Sequence, residues 1–179
     1  MPSVPEAIYR SRLLVDGYNL LFGQGWAQKN DRSHRGLQRG REVLAERLAS
    51  RVPTEQRPSV WIVFDSLDAP SHLPTSIRLR EMEAVFSRDW SSADEMLQQI
   101  LASHPSPKSL VVISSDHAVQ RKAIARGARV YDHDRWEEAV DAAFGLSARP
   151  LSAEETKETG KDRFVSDEER DDWMKRFGF

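Results

Sequence analysis

Cysteine is absent from the chain. That excludes a disulfide framework and any thiolate metal site, and it predicts a protein of a reducing compartment, the cytoplasm. Long apolar runs are also absent: nothing approaches the ~20 residues needed to cross a bilayer, so no membrane association is expected. Met1 to Arg12 lacks the apolar stretch of a secretory signal, which argues against export. Basic charge is not in excess either. The 26 Lys and Arg face 28 Asp and Glu, for a net charge of −2, so local basic patches would have to hold any polyanion. Gly23-Gln24-Gly25 makes neither a phosphate loop nor a dinucleotide fingerprint. Ser114 and Ser115 lack the context of a nucleophilic serine. No internal repeat or low-complexity tract occurs.

What remains is an ordinary globular composition over 179 residues, enough for one α/β domain and short for two. Residues 1–10 read as a lead-in and 11–146 as the folded domain. Residues 147–165 are polar with few large apolar groups, as in a linker. Residues 166–179 predict an amphipathic helix opened by a Ser166–Glu169 capping box, with Trp173, Met174 and Phe177 on one stripe. So short a helix is marginal alone, so that stripe is expected to dock on this domain or on a protein or ribosome partner.

Within the domain, strand-like runs alternate with helical periodicity. Arg12 to Asp16, Ser59 to Phe64, Met82 to Phe86, Leu110 to Ser114 and Val130-Tyr131 read as strands. Helices are expected over about 38–50, from Ser92, from His117 to Arg126 and from Asp134 to Phe144. The helix after Ser92 is the plainest: Ala93, Met96, Leu97, Ile100 and Leu101 keep the i, i+3, i+4, i+7, i+8 spacing. Gly17 and Asn19 read as ending the first strand, ahead of a loop of roughly twenty residues carrying Trp26, which is long enough to suggest a functional element. The alternation argues for a mostly parallel sheet with right-handed crossovers and helices on both faces.

An acidic residue stands at or near the end of several of these runs: Asp16, Asp65 and Asp116, with Asp94 opening a helix. In open α/β sheets the carboxyl ends of the strands line the ligand crevice. Carboxylates converging there repel one another unless a cation neutralises them, and oxygen-only ligands suit Mg²⁺ or Mn²⁺. Such a centre can polarise a phosphodiester and generate bound hydroxide. Each acidic residue also has a plainer role, as a strand terminator, a cap or a dipole partner, and for Asp65 that role weighs as much as the functional one. His34, His117 and His133 read as surface histidines, and Glu42 as a solvated helix residue.

Leu14-Val-Asp-Gly-Tyr-Asn19, Val63-Phe-Asp65, Ser92-Ala-Asp-Glu95 and Ile113-Ser-Ser-Asp116 resemble, in order, the motifs of the NYN domains, a PIN-like nuclease group, and most closely its YacP-like branch. The resemblance covers roughly residues 10–145. It implies a PIN-like three-layer α/β fold with a central, mostly parallel sheet, and a metal-dependent endoribonuclease. By position, Asp16, Asp94 and Asp116 would bind Mg²⁺ or Mn²⁺, with Asn19 and Asp65 in support. Glu42 is a loose match to a further acidic position.

Single-stranded RNA is the expected partner. Arg35, Arg39 and Arg121 are among the cations expected to hold its phosphates, and Trp26 or Tyr18 would stack on an unpaired base. The alternative is an RNA- or ribosome-binding adaptor on the same fold with little catalytic activity. A metal-dependent phosphatase is disfavoured, because the second Asp it needs two residues after the first is Tyr18 here.

Overall fold

The computed structural model describes residues 4–31, 33–66 and 75–146, all within a unit spanning Met1–Ser147. The expected linker and terminal helix, with Trp173, Met174 and Phe177, lie outside the described residues. Among the described residues six strands form one sheet: β1 (Leu13–Asp16), β2 (Val60–Phe64), β3 (Ser76–Leu79), β4 (Met82–Phe86), β5 (Val111–Ile113) and β6 (Arg129–Tyr131). Their order is β3-β4-β2-β1-β5-β6, parallel except for the β3–β4 pair. Every residue of β1, β2 and β5 is buried, as expected where a parallel sheet is covered on both faces.

Alternate residues feed two cores. Leu13, Val15, Ile62, Phe64, Val111 and Ile113 pack on one face against α1 (Gly17–Gly23), α2 (His34–Arg51) and α5 (Trp136–Phe144). Leu14, Trp61, Val63 and Val112 pack on the other against α3 (Ala93–Ser103) and α4 (His117–Ala125). The apolar stripe of α3 is buried at all five positions named from its spacing. Its cap differs in detail from a closed capping box. Ser92 accepts from the Glu95 N–H, whereas the Glu95 carboxylate turns to the Ser91 N–H and hydroxyl.

Two local expectations are corrected. The twenty-residue loop after β1 does not exist, because α1 starts at Gly17 directly after the strand. Asp16 caps this helix by accepting from the Asn19 N–H at 3.4 Å. Gly17 is present for close approach: a Cβ there would lie 2.3 Å from the Phe64 ring. The second correction is β3, an edge strand absent from the sequence reading. It joins β4 through Arg80 and Glu81, both at positive φ, a hairpin turn usually signalled by Gly or Asn.

The topology places the crevice. From β1 the chain moves to β2 and on to β4, and from β5 it moves the opposite way to β6. Strands β1 and β5 are neighbours whose connections diverge, which opens a gap at their carboxyl ends.

Candidate active site

Side chains from the ends of several elements line a cleft of about 630 Å³ at this gap. Asp16 ends β1, Asp65 follows β2, Asp94 sits in the first turn of α3 and Asp116 caps α4. The capping carboxylates each do two things. Asp16 gives Oδ1 to its helix, while Oδ2 accepts from the Ser114 hydroxyl at 2.9 Å. Asp116 gives Oδ1 to the Val119 N–H at 2.9 Å, and its own N–H donates to Ser114 Oγ at 3.1 Å. Ser114, fully buried, therefore ties the two acids together. Asp65 Oδ2 accepts from the Ala93 N–H at 3.2 Å and so fixes the start of α3, which carries Asp94. The Asn19 side-chain oxygen accepts from the Ser115 N–H at 3.0 Å, joining α1 to the loop before α4.

These carboxylates are close enough to feel one another. Asp16 is 6% exposed. Burial, with added repulsion from Asp94 and Asp116, raises its pKa to about 7 despite the Ser114 and Asn19 hydrogen bonds. Asp94 is also raised, first by desolvation and then by the charges of Asp116 and Asp65. Lys29 is the cationic side chain among the residues lining the cleft. Among the described residues no three Asp, Glu or His side chains stand close enough to form a ready cation cage. The donor set is nevertheless all oxygen and electrostatically strained, the chemistry that a hard divalent cation relieves.

The strain has a measurable consequence without metal. A carboxyl whose pKa is higher in the fold than in the unfolded chain costs stability as pH rises from its ordinary value of 3.8 towards about 7. The full cost is on the order of a few kcal/mol. In EDTA at pH 8, Asp16→Asn is expected to melt above the parent, and the gap is expected to close near pH 4. Thermal melts across that range check it, and a pH-independent difference would refute the assignment.

The family model for the YacP-like NYN domain matches residues 13–177. The chain belongs to this family. The match runs beyond residue 145, where the resemblance read from the motifs stops, and takes in the stretch expected to be a linker and most of the terminal segment. The crystal structure of Rae1 (YacP) from Bacillus subtilis is 24% identical, with a TM-score of 0.52 over 73% of this chain and 74% of that one. That likeness bears on the fold, which is PIN-like. A tryptophan-to-leucine mutant of Rae1 matches at 24% identity and a TM-score of 0.48, over 80% and 85% of the two chains. No curated protein matches the sequence. NYN domains are nuclease-related, and PIN-like nucleases generally use divalent metals.

In this NYN domain Asp16, Asn19, Asp65, Asp94 and Asp116 all line the one cleft. The arginines singled out from the sequence do not. Arg35 and Arg39 border a separate cavity of about 370 Å³, together with Trp26. Arg121 is exposed on α4, and Glu42 is exposed on α2 beside Gln38. Trp26 packs edge-on against Trp136 at 5.4 Å rather than facing the carboxylates, whereas Tyr18 does line the cleft. Two further residues line the cleft: Ser115, whose hydroxyl the sequence offers as a ligand for water or phosphate, and His133, which the sequence reading placed on the surface. His133 follows β6 closely, so the strand-end reasoning applied to Asp16 and Asp116 would have found it. Among the described residues no helix is long and apolar enough to cross a membrane.

Proposed function

We propose that the protein is a metal-dependent endoribonuclease acting on single-stranded RNA. The observation that carries this is the convergence of Asp16, Asp65, Asp94 and Asp116 on one cleft, at a cost in electrostatic strain. A protein that only bound a polyanion would gain nothing from four carboxylates at its binding surface. Asp16, Asp94 and Asp116 would hold Mg²⁺ or Mn²⁺. When bound there, the ion would supply charge neutralisation of the phosphate and a water acidic enough to attack near neutral pH.

The chain's own groups do the rest. Ser114 keeps Asp16 and Asp116 in register through its single hydroxyl. Asp65 holds the α3 N-terminus, and with it Asp94, against the end of β2. Asn19 and Lys29 present donors from the α1 side, and Tyr18 offers a ring at the cleft wall. Attack of water on phosphorus with loss of the 3′ oxygen leaves a 5′-phosphate and a 3′-hydroxyl, the 3′ oxygen taking up a proton.

The test is incubation of mixed-sequence single-stranded RNA with the full chain in Mn²⁺, Mg²⁺ or EDTA. Fragments ending in 5′-phosphate that appear with metal and vanish with EDTA are expected. Intact RNA in all three, with a salt-sensitive mobility shift, would replace this reading with that of an RNA-binding adaptor.

A further inference from the structure

We propose that His133 is a substrate-contacting residue of the cleft, its Nε2–H donating to an RNA phosphate oxygen, with Ser115 as the residue that positions it. The proposal rests on the phosphodiester-cleavage reading above and adds a group outside the acidic set.

The ring is held on several sides. Its Nδ1 lies 2.7 Å from the Ser115 hydroxyl. The His133 backbone N–H donates to the same oxygen at 3.2 Å, and its carbonyl accepts from the Gln24 side chain at 2.8 Å. The ring lies against Gly23, where a Cβ would come within 2.4 Å of ring carbon and 2.8 Å of Nε2. Ser115 is itself anchored through its N–H to Asn19, whose backbone N–H caps Asp16. A continuous hydrogen-bonded path therefore runs from the acidic cluster to the imidazole.

In the proposed tautomer Ser115 is the donor to the ring. Its oxygen accepts from the His133 backbone N–H, and its single hydrogen goes to Nδ1. The ring proton is then on Nε2. Four carboxylates crowd the same cleft, and a phosphodiester entering there needs donors that do not compete for the metal. The ring N–H of His133 meets that requirement. A histidine needed only for packing would not need its ring nitrogen held by the hydroxyl of a residue whose backbone N–H is itself tied to α1.

Two measurements on the full chain test this. The first is the ¹⁵N shifts of the His133 ring in metal-free protein. A protonated Nε2 and an acceptor Nδ1 are expected, with Ser115→Ala mixing the tautomers. The opposite tautomer in the parent overturns the proposal.

The second is cleavage kinetics with Mn²⁺ and RNA affinity in EDTA for parent, His133→Asn and His133→Gln. Asn keeps a polar group near the Nδ1 position and removes the Nε2 donor, whereas Gln can reach the Nε2 position. Loss of a hydrogen bond to a charged group predicts a ~10–100-fold fall in kcat/KM for His133→Asn, with weaker RNA binding. Recovery in His133→Gln and parent-like melting in both variants are also expected. His133→Asn that binds and cleaves like the parent overturns the proposal and leaves the nuclease reading standing. Equal losses in both variants, tracking a lower melting temperature, reduce His133 to a structural residue. A parent inert on RNA with every metal overturns both readings.

Discussion

Asp116→Asn is expected to cut metal-dependent RNA cleavage by ~10³-fold or more, since a lost metal contact is worth several kcal/mol of phosphate charge stabilisation. The substitution separates charge from structure. Asp116 caps α4 through Oδ1 to the Val119 N–H, and Asn caps helices about as well as Asp. The backbone N–H of residue 116 keeps its bond to Ser114 Oγ. What disappears is one anionic charge and part of the repulsion that adds to desolvation in raising Asp94. Melting is therefore expected to stay within a few degrees of the parent while single-turnover cleavage collapses. A variant retaining more than a tenth of the parental rate would remove Asp116 from the metal set.

Phe64→Ala is expected to be the most destabilising single change near the site, at about 3–5 kcal/mol. Phe64 is fully buried. Its ring packs 4.9 Å from Tyr18 and 5.8 Å from Phe86, and Gly17 lacks a side chain to make room for it. Arg41 is 3% exposed, and its guanidinium lies over the Phe64 and Phe86 rings and donates to the Tyr18 hydroxyl at 2.8 Å. Strand β2 is paired on both sides and cannot collapse into the space, so the cavity persists. At the usual heat of unfolding for a chain of this length, the melting temperature would drop by about 10 °C. Urea titration checks the free energy, and a loss below ~1 kcal/mol would mean that the surroundings close over the gap. Because Tyr18 lines the cleft, weaker RNA cleavage is expected to accompany the loss.

These two residues illustrate different degrees of legibility. Asp116 could be picked out from its position after a buried apolar run, because a strand end in a parallel sheet faces the crevice. Phe64 could be assigned to a core, but not to the underside of this particular cleft. Likewise Gly17 and Asn19 are residue types that favour turns. They open a helix here because Asp16 caps it and the Phe64 ring requires a residue without a side chain. The hairpin at Arg80-Glu81 carries no Gly or Asn, so local chemistry left β3 without a signal. Trp26 looked free to stack on a base because its partner, Trp136, is remote in the chain.

The alternating α/β order, the buried central strands, the stripe of α3 and the acidic motifs of the family are all legible along the chain. Those properties are written in local periodicity and in short-range capping chemistry. Folding alone reveals which carboxylates share a cleft, that Arg35, Arg39 and Trp26 border a different cavity, and that Ser115 meets the His133 ring. The divergence of the connections at β1 and β5 brings together side chains far apart in sequence. Such contacts depend on burial and strand order, which no local pattern encodes.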